Sequence, residues 1–411
     1  MDSVFIAVAI PIFLVAMAIE YVVSRKRKFK TYRFHDAVNS LSCGITQQVF
    51  DVFLVAWIVG GYFFIYDHIH LLDIQMNSVW AWIVILFGVD LAYYLFHRVS
   101  HRVNFVWGAH VVHHQSEDYN LSTALRQSAL QGAFSAVFYW PFALIGFPPV
   151  MAITMVTLNT LYQFWIHTRV IGKLGWFEKI FNTPSHHRVH HGIDPQYIDK
   201  NYAGVFIIWD KWFGTFEEEK APVHYGTVKP LSSWNPVYAN VEFYARLLQI
   251  SLQTKRWWDK LRIWWMPPEW LPEDQGGLQI VPEVDEARRT LYETPSDRRV
   301  DLYVGLQFVV ILLATVAFLL IRDHVPMVQS ATLSLWIILS LTAWGALFES
   351  KRWGIYLEGV RLALFAPTIP FAFQGVLGPV QLAWVTFGVA LFAVFSSIVV
   401  SISASKKKSG I

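Results

Sequence analysis

The chain carries fifteen histidines, and nine of them crowd into two short stretches: His97, His101, His110, His113 and His114 in the first, His186, His187, His190 and His191 in the second. The spacings are HxxxH, HxxHH and again HxxHH. On a helix, residues three or four apart share a face, so several imidazoles of each stretch can converge on one point. Neutral imidazole is a metal ligand. The competing use, an acid sensor built on repulsion between protonated rings, does not require the repeated HxxHH pattern. Adding His167, which closes an apolar segment, gives ten candidate ligands: too many for one tetrahedral zinc and suited to two metals held mainly by imidazole. No HExxH helix is present, and no glutamate has the ExxH partner that ferritin-like di-iron bundles use. A single cysteine, Cys43, rules out a thiolate cluster and a disulfide framework. Imidazole ligation alone leaves iron, zinc and copper open.

Such ligands need a scaffold, and the composition points to one in a bilayer. Hydrophobic residues make up 55% of the chain and recur in runs long enough to cross a membrane. The runs are Val4–Val23, Val49–Tyr66, Val79–Phe96, a pair Gln127–Phe147 and Val150–Ile166 that either crosses or forms a shallow hairpin, and then Leu302–Ile321, Ala331–Phe348, Ile355–Phe373 and Val380–Ile402. Basic flanks (Arg25 to Lys28, Lys30, Arg33, Lys351, Arg352 and Lys406 to Lys408) place the loops beside them in the cytoplasm, together with both histidine stretches. The expected fold is therefore an all-α integral membrane protein, a multi-span helical bundle with a cytoplasmic histidine-rich di-metal cap. Residues 1–75 form N-terminal membrane segments, 76–298 the catalytic part and 299–411 C-terminal membrane segments. A net charge of +3, scattered beside the apolar runs, gives no reason to expect a nucleic-acid partner.

Two polar residues in apolar segments bear on the metals. Asp90 shares a helical face with Tyr94, His97 and His101, and an ionisable group at membrane depth is a functional candidate, here as acceptor for a ligand imidazole N–H, with a structural ion or backbone partner as the plainer use. Gln163 shares a face with Asn159 and His167 and is a candidate for the same role. Asp90 stands nearly alone among ionisable groups in the membrane segments, which argues against a metal sensor or transporter. Lys255–Trp265, KRWWDKLRIWW, is a basic, tryptophan-rich helix that suits either the headgroup layer or packing on the cap. His35, His68, His70, His224 and His324 stand alone and are read as ordinary hydrogen-bonded histidines. The histidine stretches begin where apolar segments leave the bilayer, so a lipid could present a C–H bond to the metals, and oxygen chemistry on that bond suits a dry metal pocket.

The three histidine boxes resemble the signature of the fatty acid hydroxylase and sterol desaturase superfamily. Longer runs, SEDYNLSTALRQS from Ser116, LYQFWIHT from Leu161, NTPSHHRVHHG from Asn182 and IDKNYAGVFIIWDKWFGTFE from Ile198, are similar to its ether-lipid-cleaving members. That resemblance implies two iron ions ligated by the ten histidines, O2 as co-substrate, and tetrahydrobiopterin or another external reductant or redox protein as donor. It implies hydroxylation of a membrane lipid next to an ether oxygen, in the endoplasmic reticulum or, for a bacterial source, the inner membrane. Sterol or fatty-acyl hydroxylation or desaturation would use the same ligands. Arg102 follows His101 where the animal motif carries an acidic residue, a departure that bears on pterin use.

Overall fold

The protein is described from a computed structural model, which covers residues 3–386 together with 388, 389, 392, 393 and 396. The remaining residues of the last apolar segment and Lys406, Lys407 and Lys408 lie outside the described residues. In chain order the helices are α1 (Ser3–Lys26), α2 (Phe34–Ile58), α3 (Gly60–Ile69), α4 (Val79–Arg102), α5 (Asn104–Trp107), α6 (Val111–His114), α7 (Leu121–Ala124), α8 (Gln131–Ile145), α9 (Pro149–Trp165), α10 (Pro184–His190), α11 (Ile208–Phe213), α12 (Pro236–Gln253), α13 (Trp257–Arg262), α14 (Arg298–Ile321), α15 (Met327–Phe348) and α16 (Arg352–Phe373). Among the described residues, β structure is confined to isolated bridges such as Phe181 with Phe206 and Gly192 with Tyr225.

Five stretches among the described residues are long and apolar enough to cross a membrane: Phe34–Ile69, Val79–Arg102, Arg298–His324, Met327–Phe348 and Arg352–Phe373. The first starts fifteen residues before the apolar run that announces it. Its polar opening is not exposed to lipid: Asp36, Asn39, Ser40, Ser42 and Thr46 are buried. Ser42 and Thr46 donate to the carbonyls of Val38 and Ser42 one turn back, and Asp36 accepts from Ser116. Helices α8 and α9 have 15 and 17 residues. At 1.5 Å per residue each reaches only about 22–26 Å, short of a hydrocarbon core about 30 Å thick. Their connection requires glycine: Gly146 has φ +112°, and a Cβ there would lie 1.7 Å from the Leu72 carbonyl oxygen.

The chain divides into two compact units. One comprises Ile10–Leu231 and Ala239–Leu291 and contains every clustered histidine. Its apolar core packs Tyr62, Ile85, Val89, Ala143, Phe147 and Met151 from α3, α4 and the α8–α9 hairpin. Helix α13 splits its aromatic residues between the two expected uses: Ile263 and Trp264, just past its end, pack with Val111, Phe243 and Leu247, whereas Trp257, Trp258 and Trp265 are exposed.

The second unit includes Ser232–Tyr238 and the chain from Tyr292 on. It corrects the expectation that Asp90 is nearly alone. Glu358 and Arg361, one turn apart on α16, are completely buried and paired at 2.6 Å. Tyr303 of α14 donates to Glu358, and Gln307 accepts from Arg361 at 2.9 Å. A buried pair with its remaining donors satisfied pins α14 to α16 in one register, whereas an unpaired charge at this depth would be costly.

Candidate metal centre

Local rules bring the histidines to one place in steps. Helix α4 starts at Ser78, whose side chain accepts from the Ala81 amide, and runs unbroken to present His97 and His101 on one face of its last turns. His110 precedes the short α6, which carries His113 and His114. Pro184 opens α10 at its first position, so that His187 and His190 fall on the helix and His191 closes it. His167 stands just beyond the end of α9.

The rings segregate into two buried groups, His97, His101, His110, His114 and His190 in one and His113, His167, His187 and His191 in the other, with the candidate ligand atoms of each group within 4.8 Å of one another. Adjacent residues therefore serve different groups: His113 and His114 part ways, and so do His190 and His191. In the five-histidine group Nε2 of His97 and of His114 lie 3.0 and 3.3 Å from His110 Nε2. In the four-histidine group Nε2 of His113 and of His187 lie 3.1 and 3.0 Å from His167 Nε2. Two nitrogens each about 2.0–2.1 Å from a shared metal stand about 2.9–3.4 Å apart, so these separations fit imidazoles around a metal ion.

The outward nitrogens fix the tautomers. His97 Nδ1 donates to the Tyr202 carbonyl at 2.7 Å, His113 to that of Arg126 at 2.8 Å, His167 to that of Gln163 at 2.7 Å and His190 to that of Lys200 at 3.0 Å. A carbonyl can only accept, so in each ring Nδ1 carries the proton and Nε2 offers its lone pair inward. His110 Nδ1 likewise donates to Gln131 Oε1 at 2.9 Å. Meanwhile Nε2 of His101, His190 and His191 is buried with no hydrogen-bond partner. Buried lone pairs left unsatisfied in this number are what a metal-binding donor set presents, and the residues fit two metals.

Burial, reinforced by repulsion from the neighbouring rings, holds His110, His114, His167, His187, His190 and His191 well below the ordinary histidine value, and burial takes His113 down to about 4. On unfolding these imidazoles regain a value near 6.5. Below that pH the unfolded chain binds more protons than the folded one, so stability is full above about pH 6.5 and falls as the pH drops towards 4. Protons and metal compete for the same lone pairs. The expected outcome is that protein dialysed at pH 7.5 keeps its metal and protein dialysed at pH 4.5 loses it, as read by elemental analysis. Metal retained in full at pH 4.5 would be incompatible with imidazole ligation.

Three residues singled out from the sequence occupy other positions. His186 belongs to neither group; its ring lies edge-on to Phe216 with centroids 5.4 Å apart. Asp90 accepts no imidazole N–H. Its carboxylate takes the backbone N–H of Val205 and Phe206 at 2.7 and 2.9 Å, the Trp209 indole at 2.8 Å and the Asn159 amide at 2.6 Å. Gln163 reaches the centre through its backbone carbonyl on His167, while its side chain donates to Asn159 Oδ1 at 2.6 Å. A second carboxylate, Asp210, accepts from the N–H groups of Tyr202 and Ala203, both at 2.8 Å. Asp90 and Asp210 thus clamp the Tyr202–Phe206 loop from two sides, and that loop supplies the carbonyl that orients His97.

Glycine is required within this clamp. A Cβ on Gly204 would stand 2.8 Å from both Asn159 Oδ1 and Asp90 Oδ1. Gly204→Ala is expected to cost about 1–3 kcal/mol, seen as a lower melting temperature, by prising the loop from Asp90; an unchanged melting temperature would show that the loop can yield.

Other supports escape motif reading. Arg126, fully buried, donates to the Val112 carbonyl at 2.6 Å and to Asn39, tying α2 to α6. Arg188, between two ligand histidines, makes a two-pronged pair with Glu219 at 2.6 and 2.7 Å and donates to the carbonyls of Thr168 and Ile171. Arg102 is committed to Asp199 and to Glu269. Arg102 and Arg188 do stand next to or within a histidine box, whereas Arg126 lies twelve residues beyond one, where spacing gives no signal.

Comparison with known proteins follows the same geography. The fatty acid hydroxylase family model matches residues 82–215, the stretch that carries all ten histidines. The alkylglycerol monooxygenase of Xenopus tropicalis is 38% identical over 358 residues, covering 86% of this chain and 79% of that protein. The chain belongs to the fatty acid hydroxylase family. The Homo sapiens alkylglycerol monooxygenase is also 38% identical, over 87% of this chain and 80% of its own length. A more distant relative, the ornithine lipid hydroxylase OlsE of Rhizobium tropici, is 25% identical over 38% of this chain and 47% of its own. No solved structure matches. As a member of this family the chain is a membrane oxidoreductase with two histidine groups positioned to chelate metal.

Proposed function

We propose that this protein is a di-iron monooxygenase that cleaves the ether bond of alkylglycerols. The observation that carries the reading is the pair of buried histidine groups in a chain 38% identical to alkylglycerol monooxygenases across about four fifths of their length. Relatives that act on other lipids, such as the cholesterol 25-hydroxylase of Homo sapiens, share only 32% of this chain. That makes sterol or acyl oxidation the weaker alternative.

In this reading His97, His101, His110, His114 and His190 hold one iron, and His113, His167, His187 and His191 hold the other. Iron held there would supply activation of O2; the overall reaction places one oxygen atom in the C–H bond next to the ether oxygen, and the second leaves as water with two electrons and two protons from an external donor. The hydroxylated carbon is a hemiacetal, which collapses to a fatty aldehyde and a free glycerol hydroxyl. The chain's own residues keep Nε2 of His97, His113, His167 and His190 unprotonated and aimed inward, through the carbonyls of Tyr202, Arg126, Gln163 and Lys200. Burial of every ligand excludes the water that would divert oxidising equivalents. The donor is tetrahydrobiopterin or a redox protein; Arg102, held by Asp199 and Glu269, stands where the acidic residue of the animal motif would be.

The catalytic part is residues 76–298, with the histidine groups on the cytoplasmic side, as the basic flanks at Arg25–Lys28 and Lys351–Arg352 favour. The testing experiment measures iron per purified chain together with aldehyde release from an alkylglycerol under oxygen with a supplied reductant. Two irons and oxygen-dependent aldehyde support the reading. Two irons with no aldehyde, but oxidised sterol or acyl product, overturn the substrate.

A further inference from the structure

Helices α12 and α13 bury one side against the metal centre and expose an apolar side to the surroundings. On the buried side Phe243 and Leu247 of α12 and Ile263 just beyond α13 pack with Val111. The amides of Asn104 and Phe105 donate to the carbonyls of Met266 and Trp264 at 3.0 and 2.8 Å, and the Tyr244 hydroxyl donates to the Phe105 carbonyl at 2.9 Å. Trp107, two residues on, holds its ring 4.8 Å from that of His101 and 5.4 Å from that of His114. The pair of helices therefore stands one layer of side chains outside the five-histidine group.

The other side is apolar and uncovered. Val241, Ala245, Leu248 and Leu252 recur every three or four residues along α12 and are all exposed. Trp257, Leu261 and Trp265 continue the pattern every four residues through α13, with Trp258 beside them, and the three tryptophans are 57 to 68% exposed. A single exposed apolar residue is ordinary, but an unbroken stripe along two successive helices marks an interaction surface. The charge around it is basic: Ala239–Trp265 holds five basic residues and two acidic ones. Both carboxylates are taken up by arginines, Glu242 by Arg246 and Asp259 by Arg262, while Lys255 and Arg256 are exposed at the turn between the helices.

Chain geometry decides what covers this stripe. The membrane-crossing stretch Val79–Arg102 ends two residues before Asn104, and the segment that α12 and α13 grip, Asn104 to Val111, follows at once. The two helices are thus held at the level where α4 leaves the bilayer. Neither is among the five stretches able to cross. Helices that lie along the boundary of a bilayer present tryptophan and leucine to the acyl chains and lysine and arginine to the phosphates, which is the arrangement here.

We infer that α12 and α13 form an interfacial anchor, their Val241–Trp265 stripe embedded at the boundary between headgroups and acyl chains with Lys255 and Arg256 against the phosphates. The anchor seats the five-histidine group at headgroup depth, where the head-proximal part of a lipid reaches it without leaving the bilayer.

The test uses the iron-loaded full chain in phospholipid vesicles. Cys43 is fully buried, so an environment-sensitive fluorophore attaches at cysteines introduced one at a time as Leu248→Cys, Leu252→Cys and Leu261→Cys, with exposed Glu283→Cys as the reference. Two quenchers are compared, aqueous iodide and phospholipid brominated on its acyl chains. The expected result is strong quenching by the bromolipid at Leu248, Leu252 and Leu261, with iodide quenching several-fold weaker there than at Glu283, and iron content unchanged. Iodide quenching as strong as at Glu283 would show the stripe in water, and protection from both quenchers would show it covered by protein, such as a second copy of the chain; either overturns the inference. No substrate enters the test, so its outcome is separate from that of the alkylglycerol reading.

Discussion

His187→Ala is expected to leave about one metal ion per chain in place of two and to lower oxygen-dependent turnover by well over 100-fold. His187 Nε2 lies 3.0 Å from His167 Nε2 in a group of only four imidazoles, so its loss takes a quarter of the donors from that metal. Weakening a residue that merely supports a ligand already costs about 10- to 100-fold in affinity or activity, and losing the ligand costs more. His190→Ala should weaken metal binding by the five-histidine group, whose remaining four rings keep a looser grip. Elemental analysis of both variants, with circular dichroism to confirm retained helix, separates the two groups: each substitution should deplete its own metal first. His186→Ala is the internal control, because its ring belongs to neither group; it should retain both metals. Full metal content in His187→Ala would refute the four-histidine assignment.

The second large effect is expected from Asp90→Leu. The carboxylate satisfies four buried donors, the Val205 and Phe206 amides, the Trp209 indole and the Asn159 side chain. A buried donor deprived of its acceptor costs about 1–3 kcal/mol, and even with partial relaxation the total should reach about 4 kcal/mol. The damage also travels: without the clamp the Tyr202 carbonyl loosens its hold on His97 Nδ1, and metal affinity should fall about 10- to 100-fold. Asp90→Leu should therefore lower both the melting temperature and the metal retained after dialysis against a weak chelator. A variant that melts as wild type does and keeps both metals would show that the loop holds itself in place.

Much of this centre can be read along the chain, because ligand spacing is a local property. HxxxH and HxxHH bring the imidazoles of each box close together, and the eight box histidines, with His167 from outside the boxes, make nine of the ten expected ligands that converge. What spacing cannot encode is partition. His113 and His114 are neighbours in sequence but point to different groups, since consecutive residues on a helix diverge by about 100° and each ring meets partners from other helices. His186 looks as good a ligand as His187 on spacing alone, yet that same turn carries it to Phe216.

Carboxylates show the limit most clearly. The depth of Asp90 and its helical face could be inferred from the α4 sequence, and both suggested an imidazole partner. The loop that captures its oxygens comes from more than a hundred residues later, and the buried amides of Val205 and Phe206 have a stronger claim because nothing else is there to accept from them. Similarly, the polar start of α2 reads as a loop by hydropathy, and only its burial against Ser116 and Arg126 shows it to be helix. By itself, then, the order of residues determined the helical character of the apolar segments, the membrane setting and the metal-binding chemistry, all of which follow from composition and periodicity within a few turns of chain. Tertiary structure alone decided which histidine joins which group, what holds the rings, and where Asp90 points, because those depend on groups distant in sequence that meet only when the helices pack.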